Sequence, residues 1–256
     1  MTALPRALIG HTGFVGSNLL RGLPFDLTFN SSNIGDIRGR ELDLVVCAGV
    51  SAVKWQANRE PDEDWRRIQG LVSLLDTIRA RTFVLISTVD VYGDPCDVFE
   101  DSPVSEEGLH PYGRHRLALE RWVAQRFPRH SILRLPALFG TGLKKNAIYD
   151  LLHENMVDAL NPASSFQWYP LRRLPGDLTR ILEARLQLVN LACEPIRTSN
   201  IVAQFFSRSK VGKEVVPAPR YDMRTRHAAV LGGVGDYHLS ASEVMAELET
   251  FLAEAR

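Results

Sequence analysis

The chain has 256 residues, and its 30 Lys and Arg side chains balance 30 Asp and Glu, so the formal net charge is zero. This length predicts one large domain, or one domain with a small addition, and the charge balance argues against an extended nucleic-acid footprint. Three widely spaced cysteines without a CxxC pair indicate neither a disulfide framework nor a metal site. Residues 1–14 are too short for a signal peptide and no apolar run reaches the length of a membrane span, so we expect a cytoplasmic protein.

The first apolar run, at residues 7–9, leads directly into a glycine-rich segment and then into apolar residues at helical spacing. The order strand, glycine turn, helix is typical of a dinucleotide site. Gly10 allows a tight turn, Gly13 lets the backbone approach a pyrophosphate, and Gly16 lets the helix pack closely on the sheet. The residues predicted to bind the cofactor here are Gly10, Thr12, Gly13, Phe14, Val15 and Gly16.

A second strand is predicted at residues 26–29, and the residues that follow it would hold the adenosine ribose. An acidic side chain at this point selects NAD, but the sequence has Asn30 and Ser31 there, with Arg38 and Arg40 nearby. Neutral donors and arginines tolerate a 2′-phosphate, which favours NADP(H). The competing interpretation is an ordinary polar loop.

A third buried run, at residues 44–47, ends at Ala48 and Gly49, which we expect beside the cofactor. Pro61 then precedes a helical pattern that leads to a fourth strand at residues 83–86.

The end of this fourth strand carries polar side chains, namely Ser87, Thr88 and Asp90. Open α/β sheets place their chemistry at the carboxyl ends of strands. A later helix opens at Tyr112, and Arg116 follows four residues on, so the two side chains share one helix face. A cation beside the phenol predicts a pKa for Tyr112 below the usual value of about 10, as a general acid/base near neutral pH requires.

Together these segments resemble the extended short-chain dehydrogenases/reductases, the NAD-dependent epimerase/dehydratase family. The matching segments are Gly10 to Gly16, Ser87 to Gly93, Tyr112 to Arg114, and Leu133 to Gly140. The resemblance implies that Thr88 bonds the substrate oxygen, that Tyr112 exchanges its proton, and that Pro136 neighbours the nicotinamide. Ser87 is included among the cofactor contacts, and Asp90 matches one of two acid/base positions of the dehydratases.

One departure from the family pattern lies in its YxxxK motif, in which Arg116 replaces the lysine that contacts the nicotinamide ribose. Arginine keeps the positive charge but is planar, bulkier and unable to give up a proton. Two interpretations stay open: Arg116 supports cofactor binding and catalysis at a reduced level, or the site has been repurposed.

The predicted fold is a Rossmann-type doubly wound parallel sheet over residues 1–140, with a small C-terminal substrate lobe over residues 141–256. Within that lobe, residues 172–192 are expected to return to the cofactor domain. The candidates for substrate binding are Lys144, Asn146 and Arg220. Ser240 and Glu243 have the spacing of a capping box for a final helix.

These patterns predict an NAD(P)-dependent reductase, epimerase or dehydratase that acts on a nucleotide-linked sugar, with Tyr112 as acid/base. The alternatives are a non-catalytic dinucleotide-binding sensor or scaffold, and a reductase of a non-sugar carbonyl. The expected partner is a small-molecule substrate, with no nucleic acid, membrane or metal; a homodimer is left open.

Overall fold

The computed structural model describes residues 3–255. It divides into two compact units. The first unit comprises the chain up to Asp94, Asp101–Arg134 and Leu174–Val189. The second comprises Pro95–Glu100, Leu135–Arg173 and the chain from Asn190 onward.

The strands, in chain order, are β1 (Arg6–Ile9), β2 (Leu27–Phe29), β3 (Glu41–Cys47), β4 (Arg79–Thr88), β5 (Cys96–Val98), β6 (His130–Leu135), β7 (Ala137–Phe139), β8 (Ser165–Phe166), β9 (Trp168–Pro170), β10 (Leu188–Asn190), β11 (Ile196–Arg197) and β12 (Asp222–Met223). The α-helices are α1 (Phe14–Gly22), α2 (Lys54–Arg59), α3 (Pro61–Leu75), α4 (Pro111–Arg126), α5 (Ala147–Leu152), α6 (Leu174–Glu183), α7 (Thr198–Phe205), α8 (Ala228–Leu231) and α9 (Ala241–Ala255). Short 3-10 segments lie at Ile34–Ile37, Val89–Val91, Val157–Ala159 and Leu171–Arg173.

The first unit is built on a six-stranded parallel sheet with the strand order β10-β6-β4-β3-β1-β2. The apolar runs of its central strands, at residues 7–9, 44–47 and 83–85, are buried, because helices cover both faces of a parallel sheet. Helices α3 and α4 both have proline in their first turn, where a missing N–H costs no hydrogen bond. The predicted Rossmann-type α/β architecture is confirmed.

The register of this sheet brings three strand ends to one edge. Ile9 at the end of β1 pairs with Cys47 at the end of β3, and Cys47 pairs with Leu85 near the end of β4. Because the strands are parallel, the segments after residues 9, 47 and 88 leave the sheet on the same side. The candidate residues of the first unit lie at this edge, at the end of β4 and on the segments that follow β1, β2, β3 and β4, and on α4.

The second unit contains three two-stranded pairings, β5 with β12, β7 with β9, and β8 with β11. Pro136 separates β6 from β7, so the segment 133–140 forms two strands in different sheets. Helix α9 begins with the predicted capping box: the Ser240 hydroxyl accepts from the Glu243 amide at 3.3 Å, and the Ser240 amide donates to the Glu243 carboxylate at 2.8 Å. None of the helices within residues 3–255 combines the length and apolar character needed to cross a membrane.

Candidate active site

The glycine turn after β1 is so tightly packed that Gly10 and Gly16 have no room for a side chain. Gly10 has a φ of +85°, and a Cβ there would lie 2.3 Å from the Ala48 carbonyl oxygen. A Cβ on Gly16 would lie 2.1 Å from the Gly10 carbonyl oxygen. Both distances are far below van der Waals contact, so the turn and the start of α1 require glycine at these positions. A Cβ on Gly49 would likewise press on the Ile9 side chain, at 2.8 Å.

The N-terminus of α1 provides a site for an anion. Its N-cap is Gly13, which has no side chain to accept from the first amides, and its first turn carries no acidic residue. Backbone N–H groups at a helix start bind phosphate oxygens, helped by the helix dipole. Phe14 and Val15 form the start of the helix and Thr12 is exposed in the turn. This segment therefore fits the pyrophosphate of a dinucleotide.

The segment after β2 is a polar turn closed by its own side chains. The Asn30 side-chain oxygen accepts from the Ser32 amide at 2.9 Å and from the Ser32 hydroxyl at 2.6 Å. The Asn33 side-chain oxygen accepts from the Asn30 amide at 2.7 Å. Ser31 and Arg38 are exposed. The Asn30 oxygen is thus used to form the turn, whereas Ser31 and Arg38 face solvent.

The end of β4 and the start of α4 bring together three of the predicted catalytic residues. The Thr88 hydroxyl accepts from the Asp90 amide at 3.2 Å and is hydrogen-bonded to the Tyr112 phenol. The amide of Tyr112 donates to Asn58 at 2.9 Å. A Cβ on Gly113 would lie 2.0 Å from the Asp90 carbonyl oxygen, so glycine permits this approach of α4 to the strand end.

The Tyr112 phenol is buried, and burial raises its pKa above the ordinary value because the phenolate loses hydration. The charge of Arg116 acts in the opposite direction but is the weaker influence. Arg116 lowers the Tyr112 pKa as predicted, but burial outweighs it, so the predicted net pKa below the usual value is wrong. The phenol is protonated at neutral pH and is a proton donor in its resting state.

The Arg116 side chain is buried, and its two terminal nitrogens donate four hydrogen bonds. They form a bidentate ion pair with Asp64, at 2.5 and 2.9 Å, and donate to the carbonyls of Ser51 at 2.6 Å and Tyr112 at 3.3 Å. Burial opposes ionisation of Asp64, but the hydrogen bonds and charges of Arg116 and His115 outweigh it and hold the pKa of the carboxyl below its usual value. Arg116 therefore has a structural role here that its place in the motif did not indicate.

Two residues of the site were not predicted, Lys54 and His110. The Lys54 ammonium lies 2.6 Å from one Asp90 carboxylate oxygen. His110 caps α4, its Nδ1 accepting from the Gly113 amide at 3.0 Å, and its Nε2 lies 3.9 Å from the same Asp90 oxygen. Burial lowers the pKa of His110, and the charge of Lys54 adds to this effect. The proline that opens α4 directly after His110 is the one sequence signal for this cap.

Ser87 belongs to a buried polar network behind the strand end. Its hydroxyl donates to Glu120 at 2.5 Å, and Glu120 pairs with Arg134 at 2.6 Å. Arg134 also donates to the Tyr92 hydroxyl at 2.7 Å. The Ser87 hydroxyl proton is therefore directed to Glu120 rather than toward a cofactor.

Comparison with known families decides the classification. The model of the NAD dependent epimerase/dehydratase family matches residues 25–161, more than half of the chain. This chain belongs to that family. The predicted family is confirmed, and so is the prediction of an NAD(P)-dependent enzyme. A search of curated proteins gives no match.

Solved structures of the same fold include nucleotide-sugar enzymes. A dTDP-4-dehydrorhamnose reductase from Clostridium acetobutylicum has a TM-score of 0.75 and 14% identity, covering 97% of this chain and 98% of that chain. MoeE5 in complex with UDP-glucose and NAD has a TM-score of 0.74 and 16% identity, covering 98% of this chain and all of its own. RMD from Pseudomonas aeruginosa with NADPH has a TM-score of 0.67 and 19% identity, covering 96% and 99% of the two chains. At these identities the likeness shows the fold.

In this family member, four predicted site residues lie in the second unit. Pro136 is buried, whereas Lys144 and Arg220 are exposed. Arg220 donates to Asp222 at 3.0 Å. Asn146 caps α5: its oxygen accepts from the amides of Ile148 and Tyr149, at 3.0 and 3.1 Å, and its nitrogen donates to a backbone carbonyl. Since this cap uses both ends of the amide, Asn146 is corrected here to a structural residue.

Proposed function

We propose that this protein transfers a hydride between NAD(P)(H) and a carbon of a nucleotide-linked sugar, with Tyr112 exchanging a proton with the sugar oxygen. The observation that carries the proposal is the hydrogen-bonded pair of hydroxyls on Thr88 and Tyr112. This pair lies at the sheet edge that also carries the Gly10 turn and its phosphate-binding helix start. A dinucleotide site and a proton donor at one edge are the two requirements of carbonyl reduction.

The cofactor supplies or accepts the hydride when it is bound; the residues of the chain supply the rest. The amides at the start of α1, beyond Gly13, hold the pyrophosphate. Thr88 orients the substrate oxygen toward Tyr112, and Tyr112 gives its proton to that oxygen as hydride arrives at the carbon. The raised pKa of Tyr112 keeps the phenol protonated, which favours the reductive direction and a keto-sugar as substrate.

The preference for NADP(H) is part of the proposal. No acidic residue occupies the turn after β2, where Asn30 and Ser31 stand, and Arg38 is exposed nearby. An exposed guanidinium near the ribose would pair with a 2′-phosphate, which NAD lacks.

The nucleotide-sugar class is supported by family membership and by solved structures of this fold that are named for such substrates, UDP-glucose and dTDP-4-dehydrorhamnose among them. Lys144 and Arg220 remain the candidates for the substrate diphosphate, since both are exposed cations of the second unit. A homodimer also remains a proposal, which light scattering of the purified protein would test.

The function is tested by adding NADPH or NADH to the purified protein and following nicotinamide absorbance with dTDP-4-dehydrorhamnose as the keto-sugar. Oxidation that depends on this sugar supports the proposal, with NADPH preferred. Binding of NADPH without turnover of dTDP-4-dehydrorhamnose, UDP-glucose or UDP-galactose contradicts it and favours a sensor. Turnover of a small aldehyde alone favours a reductase of non-sugar carbonyls.

A further inference from the structure

The ion pair between Lys54 and Asp90 stands beside the Thr88 and Tyr112 hydroxyls. The four terminal N–H bonds of Arg116 are directed at Asp64 and at two backbone carbonyls. Arginine also cannot release a proton in a protein. A proton that leaves Tyr112 is therefore not replaced through Arg116, and another route is required.

A continuous series of polar atoms leads away from the Tyr112 phenol. The phenol is hydrogen-bonded to the Thr88 hydroxyl. The Thr88 hydroxyl lies 3.5 Å from one oxygen of Asp90, and the other Asp90 oxygen lies 2.6 Å from the Lys54 ammonium. The 3.5 Å link is long for a hydrogen bond, and catalytic hydrogen bonds commonly shorten when substrate is bound.

Lys54 connects this series to solvent. Its side chain is 39% exposed, whereas that of Asp90 is 16% exposed. Tyr112 and Arg116 are both buried, so Lys54 is the end of the series at which a proton can be exchanged with water.

We infer that Lys54 is the terminal proton donor of a relay that runs through Asp90 and Thr88 to Tyr112, in place of the missing motif lysine. The inference rests on the proposed function. After Tyr112 has given its O–H proton to the substrate oxygen, Thr88 gives its hydroxyl proton to the phenolate. Asp90 takes a proton from the Lys54 ammonium on the oxygen that faces Lys54. A turn of the carboxyl group then brings this O–H to the Thr88 oxygen, which receives the proton.

The relay balances in atoms and charge. Each O–H or N–H bond that breaks is matched by one that forms, the phenolate becomes a phenol, and the ammonium becomes an amine. Lys54 then takes a proton from water, and no electrons move along the relay. In the oxidative direction the same bonds carry the proton outward.

His110 is a poorer terminus for the relay, although it also faces Asp90. Its Nδ1 is occupied by the Gly113 amide, and its Nε2 is 3.9 Å from the Asp90 oxygen, beyond hydrogen-bond distance. Burial and the charge of Lys54 lower its pKa, so the ring is neutral at pH 7. The groups that act on Tyr112 electrostatically are Arg116, Asp90 and Lys54.

The electrostatic coupling between Lys54 and Tyr112 is tested without turnover, by carbon NMR. The protein is labelled at the ring carbon that bears the hydroxyl oxygen in each tyrosine. The Tyr112→Phe variant identifies the Tyr112 signal among the six tyrosines. Removing a positive charge disfavours the phenolate, so Lys54→Met is expected to move the onset of the Tyr112 titration to higher pH. Lys54→Arg keeps the charge and is expected to titrate like the wild type.

The proton transfer is tested with NADPH and dTDP-4-dehydrorhamnose. Both Lys54→Met and Lys54→Arg are expected to lower kcat by about 100-fold, the size of a typical general acid–base contribution, with the Kd for NADPH unchanged. Lys213→Met, at an exposed position of the second unit, is the matched control and is expected to keep wild-type kcat. If Lys54→Met does not fold, Asp90→Asn breaks the relay at its centre with a side chain of the same shape and is expected to show the same loss.

Each outcome bears on one claim. A Tyr112 titration in Lys54→Met that superimposes on the wild type overturns the inference, whether or not the wild type turns over. Wild-type kcat in Lys54→Arg also overturns it, because the residue would then act by charge alone. If the wild type reduces no nucleotide sugar, the proposed function is contradicted. If Lys54→Met still shifts the Tyr112 titration in that case, the electrostatic coupling between Lys54 and Tyr112 stays supported.

Discussion

The guanidinium carbon of Arg116 lies 4.0 Å from the centroid of the Tyr112 ring, stacked on the face of the phenol. A cation in this position stabilises the ring by a cation–π contact. Together with the Asp64 pair, this contact holds the first turns of α4 against α3. The motif arginine therefore fixes where Tyr112 stands.

We predict that Arg116→Lys destabilises the protein by about 1–3 kcal/mol, because one ammonium cannot replace four directed bonds to a carboxylate and two carbonyls. Urea denaturation measures this loss. Arg66→Lys is the matched control: Arg66 pairs with Glu63 but is 69% exposed, and such surface pairs contribute little to stability. Equal stabilities of Arg116→Lys and the wild type would contradict the structural role of Arg116.

The same pair predicts a pH dependence. The folded-state pKa of Asp64 is depressed, so its contribution to stability is present above the unfolded-state pKa of about 3.9 and is lost as the pH falls through the folded-state pKa. The difference in unfolding free energy between wild type and Asp64→Asn is therefore expected to be constant near neutral pH and to shrink below about pH 4. A difference that is independent of pH in this acid range would show that the Asp64 carboxylate is not ionised in the pair.

The glycine turn gives a prediction about cofactor binding. Gly16→Ala places a Cβ 2.1 Å from the Gly10 carbonyl, so the turn must move and the amides at the helix start lose their alignment. We expect a loss of NADPH affinity of at least about tenfold, which corresponds to about 1.4 kcal/mol, measured by fluorescence titration. The control is Gly70→Ala in α3, where a Cβ meets nothing within 4 Å. Gly70→Ala is expected to keep the affinity and to raise stability slightly.

The buried network behind β4 gives a prediction about stability. Glu120→Gln leaves the Arg134 guanidinium buried without a carboxylate, which typically costs about 3–5 kcal/mol. Thermal and urea unfolding would measure this loss. Arg121→Gln, which removes an exposed pair with Glu106, serves as the control. If the two substitutions have equal and small effects, the Arg134 ion pair does not support the strand end.

Local patterns in the sequence were sufficient to predict several elements of the fold, including the strand and turn of the cofactor site. The strand before Gly10, the capping box at Ser240 and the proline that opens α3 are all signals within a few residues, and each element forms where it was expected. Thr88 and Tyr112 were placed together by their positions at a strand end and a helix start.

The remaining contacts join residues that are distant in the chain, and no local pattern reports them. Asp64 lies 52 residues from Arg116, and Lys54 lies 36 from Asp90. Asn146 shows a different difficulty. The sequence around an asparagine in a loop does not distinguish a residue that caps a helix from one that faces a ligand. Burial of Tyr112 also depends on tertiary packing, which explains why the predicted direction of its pKa was wrong.

Tyr112→Phe tests the central claim most directly, since it removes one hydroxyl while the ring keeps its stacking on Arg116. The measurement is NADPH oxidation with dTDP-4-dehydrorhamnose, alongside NADPH binding by fluorescence for both proteins. We predict that the variant binds NADPH with wild-type affinity and that its kcat falls by about 100-fold or more. Wild-type turnover in Tyr112→Phe would contradict the assignment of Tyr112 as the proton donor.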